Sequence, residues 1–140
     1  MLATHPLARL GRPLRLADLT PYPGATLQRS FGVRQHIEAA EIGEGVRLPT
    51  LLTTTSFSAL GYFVVAGLGY ALSTRMSLPP HLDTAAVVEL PMKNPLLHQG
   101  RSHVISRHGR MLAPAATELL RLIVSDMAGT MGAAAWEPAA

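Results

Sequence analysis

The 140 residues suffice for one domain with a substantial core, and a hydrophobic share of 48% removes any need for a disordered reading. Twelve basic residues, eleven of them arginine, against nine acidic ones leave a net charge of +3, an imbalance too small to point to nucleic acid by itself. With no cysteine, disulfides, thiolate catalysis and cysteine-held zinc are all excluded.

The opening stretch MLATHPLARLGRP carries no export signal, because Thr4, His5, Pro6 and Arg9 interrupt any apolar run, so a cytoplasmic location is expected. Residues 1–15 show no period and read as an extended lead-in, ending in a short turn at Leu16 to Leu19. Tyr22 to Gln28, bounded by turn signals, suits a short interior strand, and Gln28, Arg29 and Ser30 then form a polar strand-to-helix turn. From Phe31 to Ile42, apolar Val33, Ile37, Ala40 and, more weakly, Ile42 alternate with Arg34, Gln35, Glu38 and Glu41 at the spacing of a half-exposed helix. Gly43 and Gly45 end it, and Val46 to Leu52 reads as the next strand, with Pro49 suggesting an edge or an irregular start.

Thr53, Thr54, Thr55 and Ser56 put more hydroxyls at one helix start than a single N-cap needs. Phe57 to Ala66 is almost wholly apolar and predicts a helix buried on most sides, stopped by Gly67. Phe57 to Leu72 is too short and too rich in glycine for a membrane span, which needs about 20 apolar residues. Tyr70 to Thr74 reads as a short strand, as do Ala85 to Leu90, closed by Pro91, and Gln99 to Arg107. Pro114 opens a last amphipathic helix to about Ala128, and residues 129–140 read as a frayed tail. Strands alternating with helices predict an α/β layer fold.

Chemistry concentrates in two places. Unpaired N–H groups at the start of a helix attract anions, and Thr53 to Ser56 stand there. Gln28, Arg29 and Ser30 follow the first interior strand, on the side of an α/β sheet where ligands bind, and Arg29 has the two-pronged geometry that holds a carboxylate. For both clusters plain capping or an exposed loop arginine remains the simpler alternative. His98, His103 and His108 recur every five residues, a spacing that alternates faces on a strand, and no carboxylate or cysteine joins them, so no metal site is expected. The basic cluster Arg101, His103, Arg107, His108 and Arg110 lacks interleaved aromatics, and direct nucleic-acid binding is not expected. No nucleophile is set beside a base and an orienting acid, and Gly67 and Gly69 lie after a helix and before a strand, the reverse of a dinucleotide loop. Neither an enzyme nor a cofactor is therefore expected.

Three passages in register, HPLAR at 5–9 with LADLTPYP at 16–23, YFVVAGLGYAL at 62–72, and HVISRHGRMLAPAATELLRLI at 103–123, resemble the effector-binding region of LysR-type transcriptional regulators. The resemblance implies a type 2 periplasmic-binding-protein-like fold, three-layer with a mostly parallel sheet. On it, 16–92 is regulatory subdomain 2 and 93–128 the closing strand and C-terminal helix of subdomain 1. The helix-turn-helix, the linker helix and the first part of subdomain 1, which precede the HPLA passage in the family, have no counterpart here, so the chain reads as a fragment or a truncated product. The resemblance also places Thr55 where family members contact effectors. It implies a small effector and DNA contact only through a helix-turn-helix domain. The two-pronged geometry of Arg29 suggests that the effector bears a carboxylate, and apolar surface that would pack on the absent part of subdomain 1 predicts a homo-oligomer. An oligomerisation module that has lost effector binding is the alternative.

Overall fold

The computed structural model describes residues 1–74, 85–100, 105 and 111–131, the last five of them by their backbone alone. The chain divides into two units, Met1–Arg101 and Ser102–Ala140.

The first unit is built on a three-stranded parallel sheet in the order β2–β1–β3, with β1 at Gly24–Leu27, β2 at Thr50–Thr54 and β3 at Tyr70–Ala71. β1 is central and buried along its whole length, as a strand covered on both faces should be. Ala25 and Leu27 pack with Leu60 and Phe63 of helix α3, Phe57–Val65. Tyr70 joins the other cluster, with Ile37 and Ala40 of helix α2, Gly32–Glu44. The two helices therefore cover opposite faces. Gly24 leaves the space for that arrangement, since a Cβ there would lie 2.7 Å from the Tyr70 ring.

The lead-in is part of this unit rather than a loose extension. Leu7 and Leu14 are buried, the latter beside Leu16 and Leu19 of α1, Leu16–Leu19. Asp18 fixes that turn by accepting from the Arg15 N–H at 2.8 Å while Arg12 grips both its oxygens at 2.8 and 2.9 Å.

Several sequence expectations shift. The second strand begins at Thr50, not Val46, because the end of α2 takes the donors that a ladder would use. The Val46 N–H goes to the Glu41 carbonyl, and the Leu48 N–H goes to Glu41 Oε1 at 2.7 Å. Pro49 thus precedes the strand, and Glu41, expected on the outer face, is buried. Ile42 is 82% exposed. Phe57–Val65 is helical as expected, although Tyr62 is exposed. Gly69, at φ +149°, brings β3 against Pro23, whose carbonyl oxygen a Cβ would approach to 2.0 Å. β3 stops at Ala71, short of Thr74. Ala85 to Leu90 forms no strand. Instead Val87 makes an isolated antiparallel bridge to Leu2, with Ala3 N–H on the Ala86 carbonyl at 2.8 Å, and Met92 makes a parallel bridge to Leu14.

In the second unit α4 runs Pro114–Met131, three residues past the expected end and into the stretch read as a tail. Its Leu119, Leu122 and Ile123 are exposed. Apart from Gln99, Gly100 and Ile105, the strand expected over Gln99 to Arg107 lies outside the described residues, as do His103 and His108.

Candidate functional site at the strand ends

Parallel strands put their carboxyl ends on one edge, and here β1 and β2 end together. Leu27 pairs with Thr54, and the Gln28 N–H donates to the Thr54 carbonyl at 3.0 Å. The Gln28–Ser30 turn and the Thr54–Ser56 turn are therefore neighbours. The first is closed by the Phe31 N–H on the Gln28 carbonyl at 3.0 Å and by Gln35 Nε2 on the Arg29 carbonyl at 3.3 Å. Two helices start from these turns. α2 has Phe31 at its N-cap and so no capping side chain, while α3 is capped by Ser56, whose Oγ accepts from the Ala59 N–H at 3.3 Å. Phe31 and Phe57 meet edge to face across the gap. Two positive helix ends thus open on one edge of the sheet.

The four hydroxyls read as one cluster separate into distinct roles. Thr53 and Thr54 belong to β2 rather than to a cap. Thr54 Oγ1 accepts from the Ser56 N–H at 3.1 Å, and Ser56 Oγ caps α3. Thr55 is exposed with no side-chain partner among the described residues. Thr53, the register partner of Thr26, lies on the α2 side. Two hydroxyls are thus held by the turn, and two are uncommitted.

Gln28, Arg29 and Ser30 are all exposed. Arg29 already has a carboxylate, since its Nε donates to Glu38 Oε1 at 2.8 Å, although its side chain stays 83% exposed. Glu38 also pairs with Arg34 at 3.1 Å, and these two guanidinium groups, that of Arg29 above all, hold its carboxyl below the usual range. Arg34 reaches Glu41 at 3.5 Å as well. This chain of charges lines an open crevice of about 810 Å³ between α2 and the β1–β2 edge. A mainly apolar cavity of about 380 Å³ lies on the α3 side, lined among others by Leu14, Leu60, Val64 and Leu90. Two hydroxyls that the sequence did not single out, Thr26 and Tyr70, are buried without a hydrogen-bond partner among the described residues, and burial raises the Tyr70 phenol to about 12. Among the described residues no cluster of three metal-ligating groups occurs, and no helix is long and apolar enough to cross a membrane. His98 is tied to the Met92 carbonyl at 2.6 Å.

A parallel sheet with helices on both faces and polar turns gathered at its strand ends defines the class as an α/β ligand-binding domain. The family model described as LysR substrate binding domain matches residues 2–128, and the chain belongs to that family. Its fold is accordingly the type 2 periplasmic-binding-protein-like one, and domains of this kind are the effector-binding modules of LysR-type transcription regulators. No curated protein matches the chain.

Proposed function

We propose that the chain senses a small, carboxylate-bearing metabolite for a LysR-type transcriptional regulator. The ligand rests against the paired turns, with Thr55 and the terminal nitrogens of Arg29 as its principal partners. Gln28, Ser30, Thr54 and Ser56 shape the wall through their backbone and caps, and Thr53 borders it. The observation that carries this reading is the bond from the Gln28 N–H to the Thr54 carbonyl, which brings two polar turns and two helix starts to one edge. Ligand binding there shifts the placement of subdomains and through it the spacing of DNA-binding domains elsewhere in the regulator. On this reading the chain acts in the cytoplasm, is not an enzyme, uses no cofactor, forms a homo-oligomer and does not itself hold DNA.

A thermal-shift screen of small carboxylates tests it. Stabilisation by at least one compound that disappears in Thr55→Val supports sensing. Retention of operator DNA by the 140-residue chain at physiological salt contradicts the claim that DNA contact resides elsewhere. The exposed Leu119, Leu122 and Ile123 of α4 favour the alternative, a module whose remaining role is assembly. A stable oligomer with no hit in the screen decides for that reading.

A further inference from the structure

We propose that the effector carries an apolar body, a single ring or a short hydrocarbon chain, which enters the cavity beside α3 while its one carboxylate stays at the paired turns. The inference rests on the sensing role proposed above and adds to it the chemical class of the ligand.

The cavity reaches the edge on which the turns lie. All three strands run parallel, so the chain leaving β3 after Ala71 emerges on the same edge as Gln28 and Thr55, and there Leu72, Ser73 and Thr74 line the cavity. Helix α3 starts at that edge too, and its first turns supply Phe57, Leu60 and Gly61 to the wall. Gly61 adds no side chain, which leaves room against the helix. Phe57 belongs to both places. It stands two residues from Thr55, a span of at most about 7 Å along the chain, its ring meets that of Phe31 beside the other turn, and it borders the cavity. A ligand held at Thr55 therefore has apolar wall within its reach.

Size and charge narrow the class. The volume of about 380 Å³ lies near the lower end of ligand pockets, which run from about 300 to 1,000 Å³, yet an apolar cavity of about 150 Å³ already holds benzene. One ring on a short tether fits, whereas a fused ring system or a long acyl chain does not. Among the described residues that line the cavity no side chain is basic, and the acid Glu89 stands at its border. The Met1 amine, also at the border, donates to the Val88 carbonyl at 3.4 Å, and burial lowers its pKa. A second carboxylate on the ligand would thus lose its water without gaining a counter-ion.

Isothermal titration of the 140-residue chain with acetate, phenylacetate, hexanoate and adipate, at constant ionic strength, tests the inference. Phenylacetate or hexanoate should bind saturably at one site and at least about tenfold more tightly than acetate. Adipate, with the length of hexanoate but a charge at each end, should bind at least about tenfold more weakly than hexanoate. Gly61→Ala puts a methyl group on the cavity wall and should weaken the tightest of the four several-fold. Melting of that variant followed by circular dichroism separates loss of binding from loss of fold, because alanine suits a helix interior better than glycine and should leave the melting temperature equal or higher. Thr55→Val should weaken the binders alike. Equal affinity for acetate and phenylacetate, adipate binding as tightly as hexanoate, or Gly61→Ala binding like wild type overturns the apolar body and leaves the sensing role standing. Saturation by none of the four overturns the inference as well, and tight binding that Thr55→Val leaves unchanged overturns the sensing role with it.

Discussion

Phe31 and Phe57 meet edge to face, with ring centroids 5.7 Å apart and planes at 87°. One stands at the N-cap of α2 and the other at the first residue of α3. The contact therefore ties together the two helix starts from which the candidate site is made. Such pairs contribute about 0.5–1.5 kcal/mol beyond the area they bury. A double-mutant cycle of Phe31→Leu and Phe57→Leu in urea should return a coupling in that range, and strict additivity would show that the rings merely coexist.

Within the turn that follows β2, capping and ligand contact fall on different residues. Ser56→Ala removes the hydroxyl that caps α3 and should lower stability by about 1 kcal/mol. Thr55→Val touches no side-chain hydrogen bond among the described residues and should leave unfolding within about 0.5 kcal/mol of wild type. Equilibrium denaturation of the two variants checks the division, and a large loss in Thr55→Val would place structural weight where none is expected.

Glu41 closes the end of α2 onto the segment before β2. Replacing it by Ala leaves the buried Leu48 N–H without its acceptor and should destabilise by about 1–3 kcal/mol. Glu41→Gln retains an oxygen at the same reach and should recover most of the loss. Chemical denaturation of both variants measures it.

Arg12, and after it the Arg15 N–H, hold the Asp18 carboxyl down at about 2, against an ordinary value of 3.8. A carboxyl lowered in the folded state stabilises it above the ordinary value, and that contribution disappears as the pH falls through the folded one. The gap in stability between wild type and Asp18→Asn should therefore be full at pH 7, narrow below about pH 4 and be smallest near pH 2. A gap that does not change with pH would rule out the ion pair as its source.

α3 was readable in advance because one hydroxyl, an apolar run and a glycine stop all agree on a single helix. The start of β2 was not, since the acceptor that removes Leu48 from the ladder is a side chain seven residues earlier, and Glu41 looks like any outer-face acid on a helical wheel. The threonines misled for a related reason. β-branched hydroxyl residues suit a cap and a strand equally, and only the pairing of Thr53 with Thr26 and of Thr54 with Leu27 assigns them to the strand. Arg29 was correctly placed at the strand end, but its bond to Glu38 crosses from the turn to the helix and leaves no local trace in the sequence. Thr26 gave no signal either, because its unpaired state is a property of packing between β1 and α2.

On the proposed function, the two turns joined by Gln28 and Thr54 act as one ligand wall. Amide chemical-shift mapping, with any carboxylate that stabilises the chain in the thermal screen, tests it most directly. Saturable shifts are expected in residues 28–30 together with residues 54–56, at one common dissociation constant. Shifts confined to one turn, or centred away from both, would contradict it.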